Sequence, residues 1–292
     1  MSRNGGSMNK VRIITDSASD IIDPARAGVT VVPMHITFGC DDYLDGVTLT
    51  HAEFYEKLVE SDALPVTSLV SPADFEEEFE RVRAAGDVAV VVTISSRLSG
   101  TYNSAVIAAG EYADTVTVVD SMNAATGEQI LVQYAVRLRD AGLSAPEIAE
   151  KLTEARERIH IIGLLETLEY LKKGGRISQA AAIVGGVLAI KPVVTITDGK
   201  VEMLGRARGS KNGSNFLIHE VERAGGVDFS MPFALGYTGL DDSMLRKYIR
   251  DSEHLWRDWV SELPVSTVGA TIGTHIGPGA IVVAFFEGER KE

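Results

Sequence analysis

Val88-Ala89-Val90-Val91-Val92-Thr93-Ile94 runs without a break into Ser95-Ser96-Arg97-Leu98-Ser99-Gly100-Thr101-Tyr102, and this junction decides the fold. An unbroken run of apolar and β-branched residues reads as a strand buried on both faces, the pattern of a parallel sheet covered by helices. Beyond the junction Tyr102, Ala105, Val106 and Ala109 recur at helical spacing. Ser99 therefore sits where a strand passes into a helix, with the backbone N–H groups of Gly100 and Thr101 lacking intrahelical acceptors. Such a helix start attracts an anion through its orphan donors and the positive end of its dipole. An ordinary serine cap gives the same pattern. A nucleophile elbow would require G-x-S-x-G, but Arg97 stands two before Ser99.

Working outward, residues 11–15, 29–34 and 116–119 have the same strand character. Helix starts lie between them. Ser71-Pro72-Ala73-Asp74 offers a cap, a proline at the first helical position and an acid two residues on, ahead of Phe75, Phe79 and Val82. Ser144-Ala145-Pro146-Glu147 repeats the signal before Ile148, Leu152 and Ala155. Strands alternating with such helices predict a doubly wound parallel sheet in an N-terminal α/β domain over residues 8–160.

The remainder reads differently. Residues 193–196 and 201–204 flank Thr197-Asp198-Gly199-Lys200, a hairpin signal. A second antiparallel pair is expected from residues 268–271 and 280–286 around Gly277-Pro278-Gly279, with helices near 178–190, 211–224 and 241–259. This predicts an α+β domain with a mixed sheet over residues 161–288.

Bulk properties narrow the function. The 292 residues are 45% hydrophobic and 24% charged, as in an ordinary globular chain of two domains. A net charge of −13 argues against nucleic acid and against an anionic membrane surface. Cys40 is the only cysteine, so neither an internal disulfide nor a thiolate zinc cluster can form, and it reads as a small buried hydrophobe. No metal-ligand cluster is visible. No apolar run approaches the ~20 residues of a membrane helix. Residues 1–7 are polar and glycine-rich, unlike a signal peptide, so the domain is expected to start at Met8 and the location to be cytoplasmic.

Several segments could carry chemistry. Asp16-Ser17 and Asp120-Ser121 end the first and fourth strands, at the sheet edge where ligands bind, although Asp and Ser there also cap loops. Thr67-Ser68 follows Pro65 in an expected loop. In Gly273-Thr274-His275-Ile276-Gly277-Pro278-Gly279-Ala280, Pro278 and Gly279 suit a type II turn that would hold His275 stiffly at a strand end. Leu171-Lys172-Lys173-Gly174-Gly175-Arg176 looks like a normal helix end. Arg206-Ala207-Arg208-Gly209-Ser210-Lys211 fails the phosphate-loop spacing and reads as a docking patch or as solvated surface. A hydrolase or phosphoryl-transfer enzyme using Asp16, Asp120 or Ser99 is the rival reading. It lacks a nucleophile–base pair, a metal cluster and a phosphate loop.

Taken in order, these pieces resemble the DegV family. The resemblance rests on Ile14-Thr15-Asp16-Ser17, Thr67-Ser68, Ser96-Arg97-Leu98-Ser99-Gly100-Thr101, Leu168-Glu169-Tyr170-Leu171-Lys172-Lys173-Gly174-Gly175-Arg176-Ile177, Lys191-Pro192, and Thr274-His275-Ile276-Gly277-Pro278-Gly279-Ala280. It departs at Leu69-Val70-Ser71-Pro72, where the family has glutamine and proline, and in the low lysine content of residues 205–213. The resemblance implies a long-chain fatty acid, of palmitate, stearate or oleate type, in a slot between the two domains. Its carboxylate would meet Thr67 or Ser68, Ser99 with Gly100, and His275, with no cofactor and no metal. It further implies presentation of the acid to a fatty acid kinase through Arg206 or Arg208, the protein itself catalysing nothing.

Overall fold

The computed structural model describes residues 9–61, 63–177 and 190–288. The first half runs β1 (Val11–Asp16), α1 (Pro24–Ala27), β2 (Val29–Val32), β3 (His35–Phe38), β4 (Asp41–Leu44), α2 (His51–Glu60), β5 (Val66–Ser68), α3 (Pro72–Ala84), β6 (Val88–Thr93), α4 (Thr101–Ala109), β7 (Val116–Asp120), α5 (Ala125–Asp140) and α6 (Ala145–Ala155). The second half continues with β8 (Ile159–Leu164), α7 (Glu169–Lys173), β9 (Ile190–Thr197), β10 (Lys200–Arg208), α8 (Gly209–Arg223), β11 (Phe233–Tyr237), α9 (Ser243–Asp251), α10 (Glu253–Trp256), β12 (Val265–Thr267), α11 (Ala270–Ile276) and β13 (Ile281–Phe286).

The apolar runs form the expected parallel sheet, in the order β2-β1-β6-β7, with Ile13 opposite both Val29 and Val90. The helix pairs α3–α4 and α5–α6 cover it. Capping boxes start α3 at Ser71 and α6 at Ser144. Phe75 and Phe79 of α3 stack at 5.8 Å and are fully buried with Val90, Val91 and Val92. The second sheet, β10-β9-β8-β13-β11-β12, is mixed, because β11 and β12 are parallel while its other pairs are antiparallel. Asp198 and Gly199, both at positive φ, make the β9–β10 hairpin turn.

Helix α5 joins the two halves. It packs on β1 and β6 on one side and on β8, β11 and β13 on the other. Ile130, Leu131, Val132 and Ala135 are therefore all buried, and the helix is apolar around most of its girth.

Four expectations change. The run at 29–34 divides at Pro33, which has no N–H to give a ladder, and the chain leaves for a third, antiparallel sheet, β4-β3-β5. Thr67 and Ser68 lie on β5 of that sheet, not in a loop, with Thr67 opposite Ile36. The run at 268–271 is not a strand paired with 280–286: it leads into the helix Ala270–Ile276, and β13 pairs with β8 and β11. Cys40 is exposed, at the β3–β4 turn. The helix expected near 178–190 falls almost wholly outside the described residues, and β9 begins at Ile190.

Candidate functional site

The site grows from the ends of elements that arrive from opposite ends of the chain. Strand β5 carries Thr67, and the last turn of α11 carries His275. The imidazole Nε2 lies 2.9 Å from Thr67 Oγ1. Nδ1 is buried with no hydrogen-bond partner among the described residues, and it packs so closely on Gly174 that a Cβ there would lie 2.3 Å from it. Burial, and secondly the charge of Arg176, pull the His275 pKa from the usual 6.5 down to about 4, so the ring is neutral. A neutral ring has one proton to place. An orphaned buried N–H is rarer than an orphaned acceptor, so the proton belongs on Nε2, which donates to Thr67 Oγ1. The hydroxyl hydrogen of Thr67 is then free for another acceptor.

Ser99 stands just before α4, whose N-cap is Gly100 and has no side-chain cap. Ser99 Oγ accepts from the Thr101 N–H at 3.3 Å and lies 2.9 Å from Thr101 Oγ1. A Cβ on Gly100 would meet only Leu69 Cδ2, at 2.8 Å, the tip of an exposed side chain that can give way.

Thr67, Ser68, Ser99, Gly100 and His275 all line one cavity of about 390 Å³, within the usual size of a small-molecule site. Most of its remaining wall is apolar and comes from both halves, including Met34, Ile94, Leu165, Val194, Ile272 and Val282. Three polar members escaped the sequence reading; one, Thr195, spends its hydroxyl on the Ile161 carbonyl at 2.8 Å. Arg176 reaches the cavity because the Gly174-Gly175 stop turns the chain back, and its guanidinium donates to the Leu98 carbonyl at 3.2 Å. Thr271 lines the cavity from the first turn of α11, for which the sequence carries no recognisable signal. A second pocket of about 350 Å³ shares Thr67, His275 and Arg176 as a wall. Lys173, Tyr170 and Thr274 also line it, and among the described residues no carboxylate does.

The residues of the rival reading do not converge. Asp16 is buried at the end of β1, where its oxygens accept from the N–H groups of Ala18 at 3.0 Å and Ile94 at 2.8 Å. Burial pushes its pKa up to about 7. Asp120 accepts from the N–H groups of Ser96 at 3.2 Å and Met122 at 2.9 Å. Neither lines the cavity, and both hold loops at the sheet edge. Arg206 and Arg208 are on the edge strand β10, not on a loop. They face Pro192 and Ile190 in the ladder and are exposed on either side of buried Ala207. Among the described residues no group of three metal-ligating side chains comes together, and no helix is long and apolar enough to cross a membrane.

Comparison with known proteins agrees over nearly the whole chain. The model of the family described as "Uncharacterised protein, DegV family" matches residues 10–288. A DegV domain-containing protein of Caldanaerobacter subterraneus is 35% identical over 288 residues, 96% of this chain and 100% of that one. A DegV family protein from Thermus thermophilus, solved for its fatty acid binding, has a TM-score of 0.85 and 33% identity, covering 95% of this chain and 99% of that one. A stearic acid-binding protein from Eubacterium ventriosum has a TM-score of 0.82 and 26% identity, with 96% and 99% coverage.

Proposed function

The chain belongs to the DegV family, and from that premise we propose that it binds a single long-chain fatty acid in the cavity between its two halves. The observation that carries this reading is an apolar cavity whose hydroxyls, helix start and neutral imidazole are gathered by β5, α4 and α11. The fatty acids bound by the Thermus and Eubacterium proteins support it. In this reading the carboxylate accepts from the hydroxyls of Thr67 and Ser99 and from the backbone at Gly100, with Ser68 beside them. His275 does not pair with the carboxylate as a cation; it orients Thr67.

The energetics suit a carrier. A palmitate-sized tail of about 14 methylenes gains on the order of 11 kcal/mol when buried, at about 0.8 kcal/mol each. Ordering of ligand and protein offsets several kcal/mol of that. The tail therefore supplies affinity, while the polar groups decide which end enters and keep a buried carboxylate hydrogen-bonded. The pocket beyond the Thr67–His275 pair, lined by Lys173 and Arg176, gives the head group a cationic way out. A fatty acid kinase docking through Arg206 and Arg208 would receive the acid, and the protein would perform no chemistry itself.

Organic extraction of the purified protein, followed by mass spectrometry, tests the reading. The expected result is one C14–C18 acid per chain, or uptake of added palmitate or oleate after delipidation. Neither a co-purified acid nor uptake would end the proposal.

A further inference from the structure

Helix α11 holds His275 at its last turn, and its first turn is held by two carboxylates from the other half of the molecule. Asp45 is buried, and its Oδ1 accepts from the Ala270 N–H at 3.1 Å. Its Oδ2 accepts from the Thr271 N–H at 3.0 Å and from the Thr271 hydroxyl at 2.6 Å. Asp20 Oδ1 accepts from the Gly269 N–H at 2.7 Å. Three successive backbone donors and one hydroxyl thus end on acids that lie 225 to 249 positions earlier in the chain. The approach is so close that a Cβ on Gly269 would lie 2.7 Å from Asp20 Oδ1 and 2.8 Å from His51 Nε2.

We propose that Asp45 is a positioning residue for the carboxylate end of the fatty-acid site, fixing the first turn of α11 and so placing His275 against Thr67. The inference rests on the fatty-acid reading of the cavity. A seven-residue helix is about 10 Å long, so a tilt of roughly 10° at its start moves its far end by about 2 Å. That displacement breaks the 2.9 Å contact between His275 and Thr67. A carboxylate suits the task because its two oxygens accept all three donors, whereas an amide would turn an NH₂ group toward one of them. The clamp is also costly to bury: Asp16 and Asp20 are buried nearby and repel it. A mere helix cap does not require such an arrangement.

The test separates the two ends of the ligand. Delipidated full-length protein is titrated with oleate and with oleyl alcohol, which shares the tail and lacks the carboxylate. The parent protein is expected to prefer oleate. Asp45→Asn is expected to cut that preference tenfold or more while leaving oleyl alcohol affinity within twofold. Gly269→Ala shifts the same helix start without altering any group in the cavity, and it is expected to act in the same direction. Should Asp45→Asn fail to fold, Gly269→Ala decides; should both fail, Asp20→Asn, which disturbs the neighbouring link to the Gly269 N–H and lines no part of the cavity, decides. A folded variant that keeps the full preference for oleate, however much lower its melting temperature, overturns the proposal. Failure of the parent protein to bind oleate overturns the fatty-acid reading instead.

Discussion

His275 Nε2 and Thr67 Oγ1 meet at 2.9 Å across 208 positions of sequence, tying α11 to β5 beside the cavity. If the imidazole orients the hydroxyl that donates to the carboxylate, the two residues act as one unit. Thr67→Val and His275→Ala should each weaken oleate binding about 10- to 100-fold, as expected for losing roughly 1.5–3 kcal/mol from a hydrogen bond to a charged group. The double variant, measured by calorimetry, should lose clearly less than the two single losses combined. Full additivity would show that each side chain acts on the ligand alone.

Two adjacent glycines should behave in opposite ways. Gly174 has an ordinary helical backbone, so alanine there is penalised only by its Cβ, 2.3 Å from His275 Nδ1. Gly174→Ala should reduce oleate affinity to the level of His275→Ala. Gly175 has φ of +70° and open space around it, so Gly175→Ala should lower stability by about 1 kcal/mol through backbone strain. Oleate affinity and thermal melting of the pair distinguish the two effects, and equal binding by both variants would refute the packing argument.

The acidic limb of the stability curve should carry the signature of His275. Its folded pKa is about 4, below the usual 6.5, so the unfolded chain binds the proton over that interval. Its contribution to stability is full above pH 6.5 and is lost as pH falls toward 4. Asp16, raised to about 7 by burial, works in the opposite sense: its contribution is full below the usual 3.8 and is lost as pH rises through 7. Melting temperature against pH should therefore rise less between pH 4 and 6.5 in His275→Ala than in the parent. Proton NMR of the His275 ring should show a midpoint near 4, and a midpoint near 6.5 would contradict the buried neutral imidazole.

Ser99 has two duties that a pair of substitutions can separate. Its hydroxyl accepts from the Thr101 N–H at the start of α4, and in the proposed complex it donates to the carboxylate. Ser99→Ala should cost about 1 kcal/mol of stability, as the Thr101 N–H loses its acceptor, and 10- to 100-fold in oleate affinity. Ser99→Thr keeps the hydroxyl and should recover most of both. Unchanged oleate binding by Ser99→Ala would remove this residue from the head-group set.

Arg206 and Arg208 project from an edge strand outside the cavity lining. The double alanine variant should bind oleate like the parent, yet support slower acyl-phosphate formation with a purified fatty acid kinase and ATP. Loss of oleate binding would place the arginines in the ligand site, and unchanged turnover would take them out of the docking surface.

The parallel sheet was legible because strands covered on both faces must be apolar throughout, and the caps at Ser71 and Ser144 mark helix starts with local chemistry alone. The Asp198-Gly199 hairpin was legible for the same local reason. Helix α11 was not. Thr271, Ile272 and Thr274 favour a strand, and the acceptors that make a helix of them, Asp20 and Asp45, belong to distant loops. Arg176 looked like the end of a helix, which it is, but only the folded chain shows which cavity that end faces. Thr67, Ser99 and His275 could each be singled out; that the first and last of them touch is a property of tertiary structure.

Among the described strands β13 is the latest in the sequence, yet it lies in the interior of its sheet, between β8 and β11. A ribosome therefore delivers the flanking strands first and leaves a gap between β8 and β11. Until residues 281–286 emerge, the β10-β9-β8 and β11-β12 blocks have no partner edge to close on, and the apolar wall that Val282 completes is open to water. Unpaired edges of this kind invite misassembly during synthesis. The nascent chain has no closed cavity for most of its synthesis, and the cavity closes in one late step when this interior strand arrives.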